Sequence, residues 1–560
     1  MFKKTDPNPQ LDIFTAPLMQ LGSRASKKYS DPNAWYNQFY SLVTTKIDEE
    51  IFKPLFPEGK KSGRPNASIR ILVAMSALKE GFGCSDEDLF EKCEFDLLTR
   101  KALGMELLTD VTPSIDTYYL FRRRICEYQE RTGIDLMQLC FEQLAGNQVR
   151  LLKISGKCVR MDSKLIGSNI ARQSRYELIH TTLVKFLKTC TLSNLSPEKE
   201  ELAKEYLKED SSKTVYRSDS DTLQSNLARI GNFIMEMLAT FPATSPAHDL
   251  LQRLFDEQYA VKDGKAVLRD KKEVKADSLQ NPNDPDATYR AKNDQKVQGY
   301  VTNITETVEE GKPNIITSVQ VETAVFADCH FLQEAVENSE RVTDSTIEDL
   351  YADGAYQSPD NREFAKNHNA MQLKTGKMQG GCRWELIPHD EDGLTVREIA
   401  TGNTYEAVKA VTKQGSRKRW RIPWNNKTGW RYFEDKDIKA YQLRKQIESL
   451  PLEEQHKRNN VEAAMFQYSF HTRKGKTRYR GLLKHRMHAY SRCMWMNLRR
   501  MVIFQISTFQ RSIFALFGPI REAFGSFKAI SRKIFTSGAD CYVSLRMTTL
   551  ARLDSKYVPF

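Results

Sequence analysis

Three carboxylates stand out as groups that could do chemistry together. Asp162 ends a strand-like run, Cys158-Val-Arg-Met-Asp162; Asp353 ends a second, Leu350-Tyr-Ala-Asp353, and is followed by Gly354; Glu462 lies in a helical stretch. Glu462 is the only acid between Gln455 and Arg521, and from Lys457 to Arg500 there are twelve Lys or Arg against that one acid, a local net of +11. A solvated helix face ordinarily mixes signs, so one carboxylate in such a field points to a requirement for it. Carboxylates drawn from separate elements are what metal-assisted phosphodiester chemistry needs, because two hard cations about 4 Å apart share oxygen ligands and clamp the attacking and leaving oxygens. Taken singly each has an ordinary reading as well: a strand-end Asp forms turns or caps helices, and a lone Glu pairs with a surface cation. The combination carries the expectation.

The elements that would position these groups follow from periodicity. From Ser68 to about Leu103, apolar residues recur at helical spacing, broken by Gly81 and Gly83 and restarted at Ser85-Asp-Glu-Asp; Thr112-Pro113-Ser114 opens a third helix. The period then changes to two. Leu151-Leu-Lys-Ile154 and Cys158 to Asp162 predict strands around a Ser-Gly turn, and strands return at Gln298 to Val308 and Asn314 to Phe326. Between them residues 175 to 260 are helical in pattern, with Ser196-Pro197 and Ser245-Pro246 as starts. The expected organisation is an N-terminal extension and linker (1–65), a helical DNA-binding domain (66–148), the first part of an α/β core (149–174), a helical insertion (175–285), the second part of the core (286–382), a β-rich insertion (383–435), final core helices with a basic surface (436–500) and a C-terminal tail (501–560).

Length allows about two to four domains, and the composition, 40% hydrophobic and 28% charged, excludes wholesale disorder. The longest apolar-looking stretch, Met501 to Gln510, is far short of the roughly 18 residues a bilayer span needs, and the Met-Phe-Lys-Lys-Thr-Asp-Pro start lacks an apolar secretory region. Ten cysteines without a Cys-x-x-Cys pair predict reduced thiols and a cytoplasmic protein without a membrane partner. Net charge, 84 minus 72, is +12, which favours polyanions. Two basic and aromatic clusters are candidate DNA contacts: Arg122, Arg123 and Arg124 after Tyr118, Tyr119 and Phe121, and Arg417 and Arg419 with Trp420, Trp424 and Trp430. A solvated Arg run in a helical bundle and a tryptophan-rich β-core are the competing readings of the two.

In order, Arg160-Met-Asp162-Ser, a two-strand hairpin, a helix, Tyr-Ala-Asp353-Gly-Ala-Tyr356, a β-rich insertion and Arg458-Asn-Asn-Val-Glu462 resemble the DDE transposases of bacterial insertion sequences, over about residues 60 to 500. The resemblance implies an α/β fold: an RNase-H-like mixed sheet interrupted by a helical insertion and a β-rich insertion, behind an N-terminal all-helical domain. It implies that Asp162, Asp353 and Glu462 ligate two Mg²⁺ ions, with Mn²⁺ able to substitute, and that Arg458, four residues before the Glu, supports the site. Where many relatives place Tyr three residues before that Arg and Lys seven after the Glu, this chain has Gln455 and Ser469, so Lys474 or Lys476 would serve, beside Arg473, as a DNA contact. The implied activity is cleavage at element ends and strand transfer. Its implied partners are double-stranded DNA, both terminal inverted repeats and target, and a second copy of the chain on paired ends, in the bacterial nucleoid. An RNase-H-like nuclease or resolvase, or an inactive DNA-binding relic, are the alternatives; the presence of all three carboxylates speaks against the last.

Overall fold

The computed structural model describes residues 2–4, 20–56, 65–243, 245–292, 295–375, 382–389, 393–410, 419–424, 429–449 and 451–523. Helices come first: α1 (Ser23–Tyr29), α2 (Trp35–Leu42), α3 (Ile69–Phe82), α4 (Asp86–Phe95), α5 (Leu97–Leu103), α6 (Ile115–Thr132) and α7 (Leu136–Leu152). Their starts are encoded locally. Ser68 accepts from the Ile71 N–H, Ser85 and Asp88 form a reciprocal capping box, Ser114 accepts from Thr117, and Asp135 accepts from Met137 and Gln138. After β1 (Cys158–Gly167) come α8 (Arg175–Leu187), α9 (Pro197–Lys208), α10 (Ser211–Arg217), α11 (Ser220–Thr240) and α12 (Pro246–Gln258), with their own core around Ile179, Leu183, Ile230, Ile234 and Leu251. The strands β2 (Tyr259–Lys262), β3 (Lys265–Leu268), β4 (Thr288–Lys292), β5 (Gln295–Thr307) and β6 (Ile316–Thr323) precede α13 (Leu332–Thr343), β7 (Asp349–Ala352), α14 (Pro359–Asn367) and β8 (Gln372–Thr375). A meander follows, β9 (Trp384–Pro388), β10 (Leu394–Glu398), β11 (Thr404–Lys409), β12 (Arg419–Trp424) and β13 (Gly429–Glu434), and then α15 (Asp435–Glu448), α16 (Leu452–Ser469) and α17 (Leu482–Ala523).

Two compact units form. One comprises Met1–Gly156, Ser163–Ser345 and Ala464–Phe560, the other Lys157–Asp162 and Thr346–Ala463. In the first, α17 is the central element: Trp495 packs its ring 5.5 Å from Phe82 and 6.0 Å from Trp35, and the same core takes in Leu72, Phe121, Phe141 and Tyr490. Here β5 pairs antiparallel with β4 over its first residues and with β6 over Tyr300 to Glu306, and it also neighbours β1. That last approach is close. A Cβ on Gly299 would stand 2.4 Å from the Ile166 carbonyl oxygen and 2.6 Å from the Ser168 nitrogen, so only glycine fits.

In the second unit, residues 158 to 160 of β1 pair in parallel with β7, and β7 pairs in parallel with β8. The meander is a separate antiparallel sheet in the order β13-β12-β11-β10-β9. Its inward residues, Trp384, Leu386, Leu394, Val396, Trp420, Ile422 and Phe433, make a core with Ile438 and Tyr441 of α15.

The fold is thus mixed α/β with a helical N-terminal region, and both expected insertions are present, as helices α8 to α12 and as the β9 to β13 meander. Three local expectations are corrected. Residues 23–55, expected as part of an extension and linker, form helices whose Trp35, Phe39 and Phe52 are buried in the helical core; the Gly and Lys-rich 57–64 lie outside the described residues. Leu151 and Leu152, expected in a strand, complete α7, which ends where Lys153 turns left-handed. Residues 501–523, expected as tail, continue α17, with Met501 and Val502 buried. No helix among the described residues is long and apolar enough to cross a membrane.

Candidate functional site

The strand β1 is buried through Val159, Arg160 and Met161, and β7 through Leu350, Tyr351 and Ala352; in both, the next residue is a half-buried aspartate. Asp353 follows the last residue of β7, whereas Asp162, expected at a strand end, lies within β1, which runs on to Gly167; each carboxylate directly follows a buried run. The register pairs Cys158 with Asp349, Val159 with Leu350 and Arg160 with Tyr351. Asp162 and Asp353 each lie two residues beyond the last pair of that register, Arg160 with Tyr351.

Asp353 is oriented by its own turn. Its Oδ1 accepts from the Gly354 N–H at 2.7 Å, capping the short 3₁₀ turn of residues 354 to 356, and the buried Asn361 ties that turn down by donating to the Tyr356 carbonyl at 2.8 Å. Arg160, 2% exposed, donates from Nη1 to the Lys457 carbonyl of α16 at 2.8 Å, and Lys457 Nζ stands 5.8 Å from the centre of the Tyr351 ring. These contacts lay the helix that carries Glu462 against β1 and β7. Glu462 itself is exposed, beside the buried Val461. Among the described residues no three His, Cys, Asp or Glu side chains stand at metal-holding spacing. The donor set, all carboxylate oxygen, nonetheless fits Mg²⁺ or Mn²⁺ rather than a softer metal.

The expected DNA contacts divide sharply. Arg122 lies over Tyr118 at 5.4 Å and Tyr479 at 5.2 Å, a stacked, half-buried position. Burial works against its charge, but Tyr118, Tyr479, Glu80 and Asp86 outweigh it and hold the guanidinium's pKa above its ordinary value. Arg123 is exposed and pairs with Glu127 at 3.5 Å; Arg124 stacks 5.9 Å from Phe56. Trp420, 3% exposed, is a core residue of the meander, whereas Trp430 is 48% exposed. Arg417 and the side chains of Trp424 and Arg458 lie outside the described residues. Arg473 and Lys474 are exposed in a tight turn, and Lys476 donates to the Ile170 carbonyl at 2.6 Å. Ser469, seven residues after Glu462, accepts from Lys164 Nζ at 2.7 Å, so an ammonium stands there although the residue is not lysine.

Reasoning from sequence missed two arrangements. On the outer face of the meander, Arg419 lies 4.1 Å over Tyr432 and Arg421 4.2 Å over Trp430, a ladder of alternating cations and rings; the period-two spacing of these residues on β12 and β13 was the available signal. The other is a buried polar cluster in which Glu80 of α3 accepts from the Tyr479 hydroxyl and lies 2.7 Å from His488 of α17. Burial pushes the Glu80 carboxyl up, but His488, Lys79 and the Tyr479 hydroxyl prevail and bring it down to about 2. A separation of some 400 residues gave no sequence signal for it.

Comparison with curated proteins and with solved structures gives no significant match. Residues 27–124, the helices α2 to α5, most of α6 and the end of α1, match the family model described as a transposase domain (DUF772), and the N-terminal region of this chain is similar to that of a transposase.

Proposed function

We propose that the chain is a DDE-type transposase that cleaves DNA at element ends and joins them to target DNA at a two-metal carboxylate site. The observation that carries the reading is an aspartate directly after the buried run of each of two parallel-paired strands, Asp162 after Met161 and Asp353 after Ala352, in a chain whose N-terminal region is similar to a transposase domain. A mixed sheet, a helical insertion after its first strand and a β-rich insertion before the Glu462 helix support an RNase-H-like core. Asp162, Asp353 and Glu462 would hold the metal ions. When bound, two such ions lower the nucleophile's pKa and neutralise charge developing on the phosphate. Asp353 is kept in its productive rotamer by the Gly354 N–H, and Arg160 positions α16 through the Lys457 carbonyl. The nucleophile is first water, which frees a 3′-hydroxyl, and then that hydroxyl, attacking target DNA in line. A second copy of the chain on paired ends supplies the synapsis this sequence of cuts requires.

The test uses the purified full chain with Mg²⁺ or Mn²⁺ and DNA carrying the inverted repeats that flank its gene. Cutting at the repeat ends is expected, and Asp162→Asn, Asp353→Asn and Glu462→Gln each abolish it while end binding persists. Cutting without regard to the ends favours a nuclease instead, and variants that cut at near wild-type rate remove those residues from the site.

A further inference from the structure

The first unit contains a groove of about 550 Å³ lined by Lys164, Arg172, Lys296, Lys474 and Lys476, with no acidic residue among the described residues of its lining. We propose that this groove binds the sugar–phosphate backbone of a DNA strand; DNA as the partner rests on the transposase reading, the anion chemistry does not. The chain as a whole carries 72 acids to 84 bases, so five cations around one cavity without an acid is a local excess that the general composition does not produce. Among the described residues Arg172, Lys296, Lys474 and Lys476 form no ion pair, so no described carboxylate compensates their charge. A polyanion supplies the missing counter-charge.

The groove is also preorganised. Arg473 and Lys476 exchange both backbone hydrogen bonds, at 3.0 and 2.9 Å, around Lys474 (φ 50°) and Gly475 (φ 72°), a two-residue turn of the kind that needs two left-handed residues. The turn is then stitched to the end of β1: the Gly167 N–H donates to the Gly475 carbonyl at 2.8 Å and the Thr477 N–H to the Gly167 carbonyl at 3.0 Å. Arg172 donates to the Lys296 carbonyl, Lys476 to the Ile170 carbonyl and Lys164 to Ser469, which fixes three long cationic side chains before any ligand arrives. Lys296 and Lys474 remain exposed at the mouth. Fixed cations with hydroxyls of Ser469 and Thr472 between them suit phosphate oxygens, and partly buried Leu165 and Val297 suit the apolar edge of a sugar.

The test measures binding of the full chain to a labelled duplex of arbitrary sequence, in chelator so that no cutting occurs, over a range of salt concentrations. Lys296→Ala with Lys474→Asn, the latter chosen because asparagine tolerates the left-handed backbone, removes two phosphate contacts. The slope of log K against log salt is expected to flatten by about 0.9 per contact, close to two in all, while Lys271→Ala with Lys272→Ala leaves it unchanged. A slope unaltered by the groove variant, in a protein with wild-type circular dichroism, overturns the proposal. The two readings fail separately: end cutting with an unaltered slope sinks the groove alone, whereas a flattened slope in a chain that never cuts sinks the transposase reading and leaves the groove.

Discussion

Acid should destabilise the first unit through a histidine that is kept neutral. His485 of α17 is buried beneath Tyr300, whose ring lies 4.2 Å away, and its Nε2 lies 3.1 Å from the Tyr479 carbonyl and 3.2 Å from Thr477 Oγ1. Burial, reinforced by His488 one turn on, pushes its pKa down from 6.5 to about 3. The folded value lies below the unfolded one, so between those two pH values the unfolded chain binds the extra proton. The stabilisation is therefore full above about pH 6.5 and is lost as pH falls toward 3. At 1.36 kcal/mol per unit, lowering the pH from about 6.5 to about 5 costs roughly 2 kcal/mol from this residue. Glu80, brought down to about 2, acts in the same sense but starts to matter only below its ordinary value of 4.5, so His485 dominates the upper window. His485→Gln keeps a donor and removes the titration. Urea midpoints followed between about pH 6.5 and 5 should fall for wild type by the equivalent of about one proton more than for the variant. Parallel curves for the two proteins would refute the argument.

Gly299→Ala should severely destabilise the fold, because both colliding atoms, the Ile166 oxygen and the Ser168 nitrogen, are backbone; Gly354→Ala, where a Cβ meets nothing within 4 Å, should leave the melting temperature near wild type. Trp420→Ala should cost about 3 to 5 kcal/mol of meander stability, whereas the exposed Trp430→Ala should cost under about 1 kcal/mol and instead weaken DNA binding, as read by thermal melts and by anisotropy. Arg160→Met should leave DNA binding intact and slow end cutting, since it releases α16 from β1 without touching the aspartates; equal losses of binding and cutting would assign Arg160 to packing alone.

How much was legible depended on how local each cause is. Asp162 and Asp353 could be found because each is the first carboxylate after a buried run, Val159 to Met161 and Leu350 to Ala352; that β1 continues past Asp162 to Gly167 and pairs in parallel with β7 is a further fact, which pairing alone supplies. The insertions were legible because a change of period from two to 3.6 needs only a short window. Leu151 to Ile154 misled for the same reason, since a short apolar run fits a strand or the last turn of a helix equally well, and α7 took its first two residues. The helices between residues 23 and 55 were illegible because what orders them, Trp35 against Trp495 and Phe52 against Phe121, comes from distant parts of the chain. Polar and aromatic composition looks like linker until the partner is known.

The same distinction separates the basic residues. Arg122, Arg123 and Arg124 formed the most conspicuous run in the N-terminal region, yet one is stacked between tyrosines, one is ion-paired with Glu127 and one lies over Phe56. Lys164, Arg172 and Lys296 stood in no run, and Lys474 and Lys476 were two of the twelve basic residues between 457 and 500, but the turn stitched to Gly167 gathers all five around one groove with no acid among its described lining residues. A charge already neutralised within the protein has little left to offer a phosphate, whereas Arg172, Lys296, Lys474 and Lys476, which form no ion pair among the described residues, gain free energy when one binds. The criterion for a polyanion surface is accordingly the absence of internal counter-charge, which depends on folded proximity and not on adjacency in sequence. By that criterion the groove, and not the arginine run, is where DNA affinity should be most sensitive to mutation.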